Sequence, residues 1–345
     1  MNRYKKGWIA ALVVMLAAAA LTLTGCGKKT DPVSQESYYF DTVCQLTVYD
    51  MKDMSEKHAD EVIQGAFRQC DKYEKLLSKT KKGSDIYKVN HAGGRAVTCD
   101  PVTVKVLQKG IRYGKMTDGL FDITVGQAED LYDFHDKKHH TVPTDAQLAQ
   151  AVSHINYQNV QISGRKVSLT DPDSEIDLGG IAKGYIADRL GVWMKKQGVT
   201  SAIISLGGNI TCVGGKDGSA FKVGIEKPFS DQSEVVGYTK AKEQTVVTSG
   251  VYERYFRKNG RLYHHILDPS TGRPADTDVY SVTIVAGSGR SIDCDAMATI
   301  CLLMGKEKGM DFIEKQDGCQ ALFIDKDGKI TKTKGMNFTK QEEDK

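Results

Sequence analysis

The segment Asp177-Leu-Gly-Gly-Ile-Ala-Lys-Gly-Tyr185 sets a glycine pair ahead of a run with helical apolar spacing, and it places Lys183 in the first turn of that helix. Glycine backbone can approach a ligand closely, helix N–H groups point toward an anion and a lysine adds charge, so the pattern suits a diphosphate. The glycines read as a strand-to-helix turn whose spacing is neither that of a Walker loop nor G-x-G-x-x-G, and a purely structural turn is the competing reading. A second segment, Asp293-Cys-Asp-Ala-Met-Ala-Thr299, opens another helix, on which Asp295 and Thr299 stand four apart and share one face. A carboxylate and a hydroxyl, completed by a carbonyl, phosphate oxygens and water, form the sparse oxygen shell that magnesium accepts. Asp293 or Asp295 as a helix cap explains the same residues. In Tyr263-His-His-Ile-Leu-Asp-Pro-Ser-Thr-Gly272, paired histidines end an expected strand. A histidine there can move a proton near neutral pH, and because strand neighbours point to opposite faces, at most one of the two faces a site. Thr117 to Asp122 reads as a tight turn and Thr248-Ser249-Gly250 as a strand end, whereas Lys137-Lys138-His139-His140 reads as solvated surface.

The elements that must position these groups alternate without a regular βαβ rhythm. Helices are predicted over Ser55 to Leu77, Pro101 to Thr117, Ile181 to Gln197 and Asp293 to Met304. Strands are predicted over Gln45 to Tyr49, Ala202 to Leu206, Phe221 to Ile225, Thr245 to Thr248 and Ser281 to Ala286. The class is therefore α+β, with largely antiparallel sheets. No Pro/Gly/Ser-rich break divides the chain after Tyr38, which argues for one catalytic unit folded around a cleft.

Arg3, Lys5 and Lys6 precede an uncharged apolar stretch from Trp8 to Leu23, the layout of an export signal. It ends in Leu23-Thr24-Gly25-Cys26, which resembles the bacterial lipobox, with Cys26 as the residue that takes lipid. An uncleaved membrane anchor is the alternative; either way the rest lies outside the cytoplasm. This divides the chain into a signal peptide (1–25), a polar tether (26–37), a catalytic domain (38–339) and a polar tail (340–345). The net charge of +3 comes from 47 basic and 44 acidic residues, and the signal holds basic residues only. A nearly neutral mature chain offers no electrostatic case for a nucleic-acid partner. Besides Cys26, Cys44, Cys70, Cys99, Cys212, Cys294, Cys301 and Cys319 form no C-x-x-C pair, and they read as buried free thiols.

Taken together, the motifs resemble the ApbE family of FAD:protein FMN transferases. The match runs in order through Phe40-Asp41-Thr42, Ser84-Asp85-Ile86 with Asn90, Asp118 to Asp122, Leu131 to Phe134, Asp177 to Tyr185, Leu206 to Asn209, Thr248 to Gly250, His265 to Pro269 with Thr271-Gly272, and Asp295 to Thr299. Tyr132 departs from it, standing where members often have tryptophan. The resemblance implies a single ApbE-type domain with two lobes around an FAD cleft, and a Mg²⁺ held by the Ala182 carbonyl, Asp295 and Thr299. It implies an FAD site lined by Phe40, Leu120, Phe121, Asp122, Asp177, Gly179, Lys183 and Ile266, with His265 as catalytic residue. The implied reaction splits FAD, places FMN on a threonine of an exported flavoprotein, such as a subunit of a membrane electron-transport complex, and releases AMP. An FAD pyrophosphatase and a non-catalytic FAD-binding lipoprotein are the readings that compete with it.

Overall fold

The computed structural model describes residues 31–134, 140–230 and 234–341. The export segment and Cys26 lie outside these residues, as do Lys137, Lys138 and His139. No helix among the described residues is long and apolar enough to cross a membrane.

Local sequence dictates most of the helices. Apolar residues at helical spacing define α1 (Glu56–Leu77), and the Ser55 hydroxyl caps it by accepting from the His58 N–H at 3.2 Å. A short α2 (Asp85–Asn90) follows, capped by Ser84. Asp100 caps α3 (Pro101–Met116), whose first residue is proline, which needs no N–H at that position. Then come α4 (Gly126–Asp130), α5 (Asp145–Ser153), α6 (Ala182–Lys196), α7 (Ser291–Met304) and α8 (Lys306–Glu314). The four helices read from sequence are thus present to within two residues at each end.

An eight-stranded sheet occupies the centre. Across it run Val33–Tyr39, Thr42–Met51, Val199–Leu206, Asn209–Val213, Gln244–Gly250, Val279–Gly287, Gln320–Asp325 and Ile330–Lys332. Each neighbouring pair is antiparallel. Helices α1, α6 and α7 cover one face, and their apolar stripes merge with the sheet's into the main core. A three-stranded sheet, Thr339–Lys340, Val235–Ala241 and Phe221–Glu226, covers the other face through Phe221, Val223, Ile225, Val246 and Leu322. Coverage on both sides explains why Val279–Gly287 is apolar almost throughout instead of alternating.

The first strand begins at Val33, inside the span read as a tether, and the last one reaches Lys340 at the start of the expected tail. The sequence Val-Ser-Gln-Glu-Ser-Tyr-Tyr has little apolar content to announce a strand. It forms by pairing with Thr42–Met51 across a two-residue turn. Both turn residues, Phe40 (φ 55°) and Asp41 (φ 57°), adopt the left-handed conformation that such tight hairpins require. The Phe40 N–H donates to Glu74 Oε1 of α1 at 2.9 Å, which ties the strained turn to the helix layer.

Candidate active site

A cleft of about 1070 Å³ opens where the hairpin turn, the start of α6, one face of α7 and the segment after Gly250 meet. Phe40, Leu120, Phe121, Asp122, Asp177, Gly179, Lys183, His265, Ile266, Asp295 and Thr299 all line it, although they are scattered over most of the chain. Ala182 heads α6 between Gly180 and Lys183 and turns its methyl group to the core.

Two helix starts are clasped together here. Neither α6 nor α7 has a side-chain cap of its own. Asp188 of α6 instead accepts from the Ser291 and Ile292 N–H groups at 2.9 and 3.1 Å, and Asp295 Oδ2 of α7 accepts from the Gly184 N–H at 2.8 Å. Each helix thereby satisfies first-turn donors of the other that have no partner within their own helix. The approach requires glycine, since a Cβ on Gly184 would lie 2.3 Å from the Ser291 carbonyl oxygen. Behind the clasp, Thr245 Oγ1 donates to Ser291 Oγ, which donates to the buried Asn209 Oδ1. Asn209 in the Leu206-Gly-Gly-Asn motif thus anchors α7 to the sheet.

Burial pushes the Asp295 carboxyl up, with Lys183 and the Gly184 N–H opposing that shift. Thr299 lies one turn further along α7, and its Oγ1 is 3.6 Å from the point where a Gly180 Cβ would sit. A buried carboxylate with one oxygen bound by an amide, a hydroxyl on the same helical face and the backbone at the head of α6 make an all-oxygen donor set. Those donors fit a hard divalent cation such as Mg²⁺.

The Asp177–Lys183 segment is irregular before α6, so the expected strand-to-helix turn lacks its strand. The extended backbone is held by specific bonds instead. Asn90 clamps Ile176 through both its amide atoms at 2.9 Å, and Asp177 Oδ1 accepts from the Gly179 N–H at 2.6 Å. Lys183 Nζ donates to the Gly179 carbonyl at 3.1 Å, bringing its charge over the turn. Asp122 also faces the cleft, but its carboxylate accepts from Thr124 N, Thr124 Oγ1 and Tyr157 N at 2.6–2.8 Å, so it shapes the wall.

Of the paired histidines, His264 is buried and His265 lines the cleft, so only one of the two faces the site. The strand Arg261–His264 ends just before His265, whose N–H donates to the Arg254 carbonyl at 3.1 Å. His265 Nδ1 lies 3.3 Å from the same carbonyl, which can only accept, so the proton resides on Nδ1 and Nε2 keeps its lone pair. Desolvation, reinforced by Arg254, His264 and Lys183, holds the His265 imidazole well below its ordinary range. The ring is therefore neutral at pH 7.

Several cleft residues carry no sequence signal. Glu129, His140, Glu253 and Arg254 line it through long-range packing, beside Phe134 of the Leu131 to Phe134 motif. His140, read as surface, stacks on Phe256 with ring centroids 4.4 Å apart, because Tyr132, Phe134, Phe256 and Tyr263 build an aromatic cluster beside it. Tyr132 is fully buried in that cluster and stacks on Phe134 at 5.2 Å, so the ring facing the cleft is Phe134. The described cysteines are all free thiols and, except for half-buried Cys319, are buried as expected.

A model described as the ApbE family matches residues 40–323. A Klebsiella pneumoniae FAD:protein FMN transferase is 34% identical over 278 residues, spanning 79% of this chain and 85% of that protein. The Treponema pallidum FAD:protein FMN transferase is 31% identical over 312 residues, spanning 86% and 85%. Among solved structures, the ApbE protein of Thermotoga maritima has a TM-score of 0.79 at 30% identity, covering 88% of this chain and 97% of its own. The flavin transferase ApbE of Vibrio cholerae has a TM-score of 0.77 at 28% identity, covering 88% and 97%.

Proposed function

The chain belongs to the ApbE family, and from that premise we propose that it is a Mg²⁺-dependent FAD:protein FMN transferase that esterifies a threonine of an exported flavoprotein. The observation that carries this reading is the convergence, in one cleft, of His265, the Gly179–Lys183 turn and the Asp295–Thr299 face.

In this reading the donor diphosphate rests against the start of α6, where Lys183 and backbone N–H groups complement its charge. Asp295, Thr299 and the Ala182 carbonyl would hold Mg²⁺, which when bound supplies further positive charge at the diphosphate. The acceptor hydroxyl attacks the FMN-side phosphorus. The bond from that phosphorus to the bridging oxygen breaks, and AMP leaves with the bridging oxygen. His265 Nε2 takes the hydroxyl proton. Burial first, and then Arg254, His264 and Lys183, disfavour the His265 imidazolium; an anionic diphosphate against the Lys183 turn offsets the cationic part, so the ring becomes a better base when substrate is present. Positioning and electrostatics do most of the work, as in other phosphoryl transfers.

The N-terminal signal layout supports export, with a lipid on Cys26. The test is incubation of the protein with FAD and Mg²⁺, with and without an exported flavoprotein. AMP release that depends on the acceptor supports transfer, free FMN and AMP regardless of acceptor indicate hydrolysis, and intact FAD indicates simple binding.

A further inference from the structure

Behind the Asp177–Gly179 turn lies a buried ammonium group. Lys79 follows the end of α1, its side chain is only 9% exposed, and it is not among the residues that line the cleft. Its Nζ lies 2.6 Å from Asp130 Oδ1, 3.4 Å from Glu129 Oε2, 3.4 Å from Asp177 Oδ2 and 3.3 Å from the Gly126 carbonyl. Glu129 and Asp177 do line the cleft. Asp177 is bound on both sides, with Oδ2 facing Lys79 and Oδ1 holding the Gly179 N–H at 2.6 Å.

We propose that Lys79 is a positioning residue for the transfer reaction: from behind the wall it fixes Asp177, and through Asp177 it sets the Gly179-Gly180 turn against which the donor diphosphate rests. The inference depends on the proposed function, because it takes that turn to be the diphosphate site. Two carboxylates beside an anion site would repel each other and the ligand. Lys79 bonds to both, and Arg254, 4.0 Å from Glu129, is the next nearest cation among the described residues. Burial opposes the ionisation of Asp177, but Lys79, the hydrogen bonds from Glu129 and the Gly179 N–H, and the Arg254 charge together outweigh it and hold that carboxyl down, with Lys79 the largest of these. Burial, with the Asp177 charge, pushes the Glu129 carboxyl the other way, so the two acids differ in how readily they ionise. Removing the ammonium leaves these groups without their closest counter-charge, a change that is costly in a desolvated setting.

The experiment measures FAD affinity by fluorescence on the folded fraction of wild type, K79M, K79R and D177N, together with K79M/D177N. K79M is expected to bind FAD at least about ten-fold more weakly, within the range that outer-shell substitutions produce. K79R should recover most of the affinity, and the double variant should be no worse than D177N alone, because both changes break the same link. A lysine that served stability alone would lower the unfolding midpoint and leave the affinity of the folded fraction unchanged. K79M affinity within two-fold of wild type, or additive losses in the double variant, overturns the proposal. If K79M does not fold, K79Q, which keeps a polar side chain at the buried position, takes its place: a loss of about ten-fold supports the link and unchanged affinity refutes it. Wild-type protein that binds no FAD overturns the proposed function and this inference with it.

Discussion

At the scale of single residues, the two histidines make separable predictions. His265 lines the cleft and its pKa is held down, so His265→Ala should slow FMN transfer by roughly 100-fold or more while changing FAD affinity only a few-fold. Because desolvation and neighbouring cations hold its pKa down, the acidic limb of kcat/KM for wild type should lie below the ordinary imidazole value of about 6.5. A pH-rate profile of both proteins checks this. His264 acts on stability. Burial lowers its pKa to about 4, and its Nδ1 finds no hydrogen-bond partner. The unfolded chain takes up a proton near pH 6.5 and the folded chain only near 4, so the stability tied to this group is complete above 6.5 and is lost as pH falls through that window. The loss amounts to at most ~3 kcal/mol. Urea unfolding at pH 7 and pH 4.5 should show a smaller drop for His264→Gln than for wild type. The histidines, Asp295 and Thr299 were readable in the sequence because each sits in a compact motif. Lys79, Glu129 and Arg254 were not, because their meaning lies in contacts such as Lys79 with Asp177, which only the fold brings together.

At the scale of elements, the site depends on two helix starts that cap each other. Asp188 serves α7 and Asp295 serves Gly184, and the contact leaves no room for a methyl group on Gly184. Gly184→Ala should therefore destabilise the protein by about 1–3 kcal/mol through overpacking. By moving Asp295 away from the head of α6, it should also raise the Mg²⁺ concentration needed for half-maximal transfer. Chemical denaturation and a Mg²⁺ titration of transfer check the two effects. Element positions were largely legible: α1 and α3 announce themselves through apolar spacing and through Ser55, Asp100 and Pro101. The strand Val33–Tyr39 was missed because its residues are mostly polar and its order comes from pairing with Thr42–Met51. The glycine turn was expected after a strand. Its actual support is Asn90 gripping Ile176 from a distant helix, which no local pattern reveals.

At the scale of the whole molecule, the central sheet is closed by helices on one face and by the three-stranded sheet on the other. The cleft is built where these layers end, from the hairpin turn, two helix starts and the loops after the central strands. Segments remote in sequence must all be folded before His265, Lys183 and Asp295 meet, so the site's geometry belongs to the complete domain. At about 1070 Å³ the cleft lies at the upper end of small-molecule sites and suits a dinucleotide with room for an acceptor to approach. In the proposed reaction an approaching threonine, and not water, receives the FMN. The most direct measurement is mass spectrometry of an exported flavoprotein after incubation with this protein, FAD and Mg²⁺. The account predicts one FMN phosphoester on a threonine, formed together with AMP and absent with His265→Ala. An unmodified acceptor alongside free FMN and AMP would contradict it.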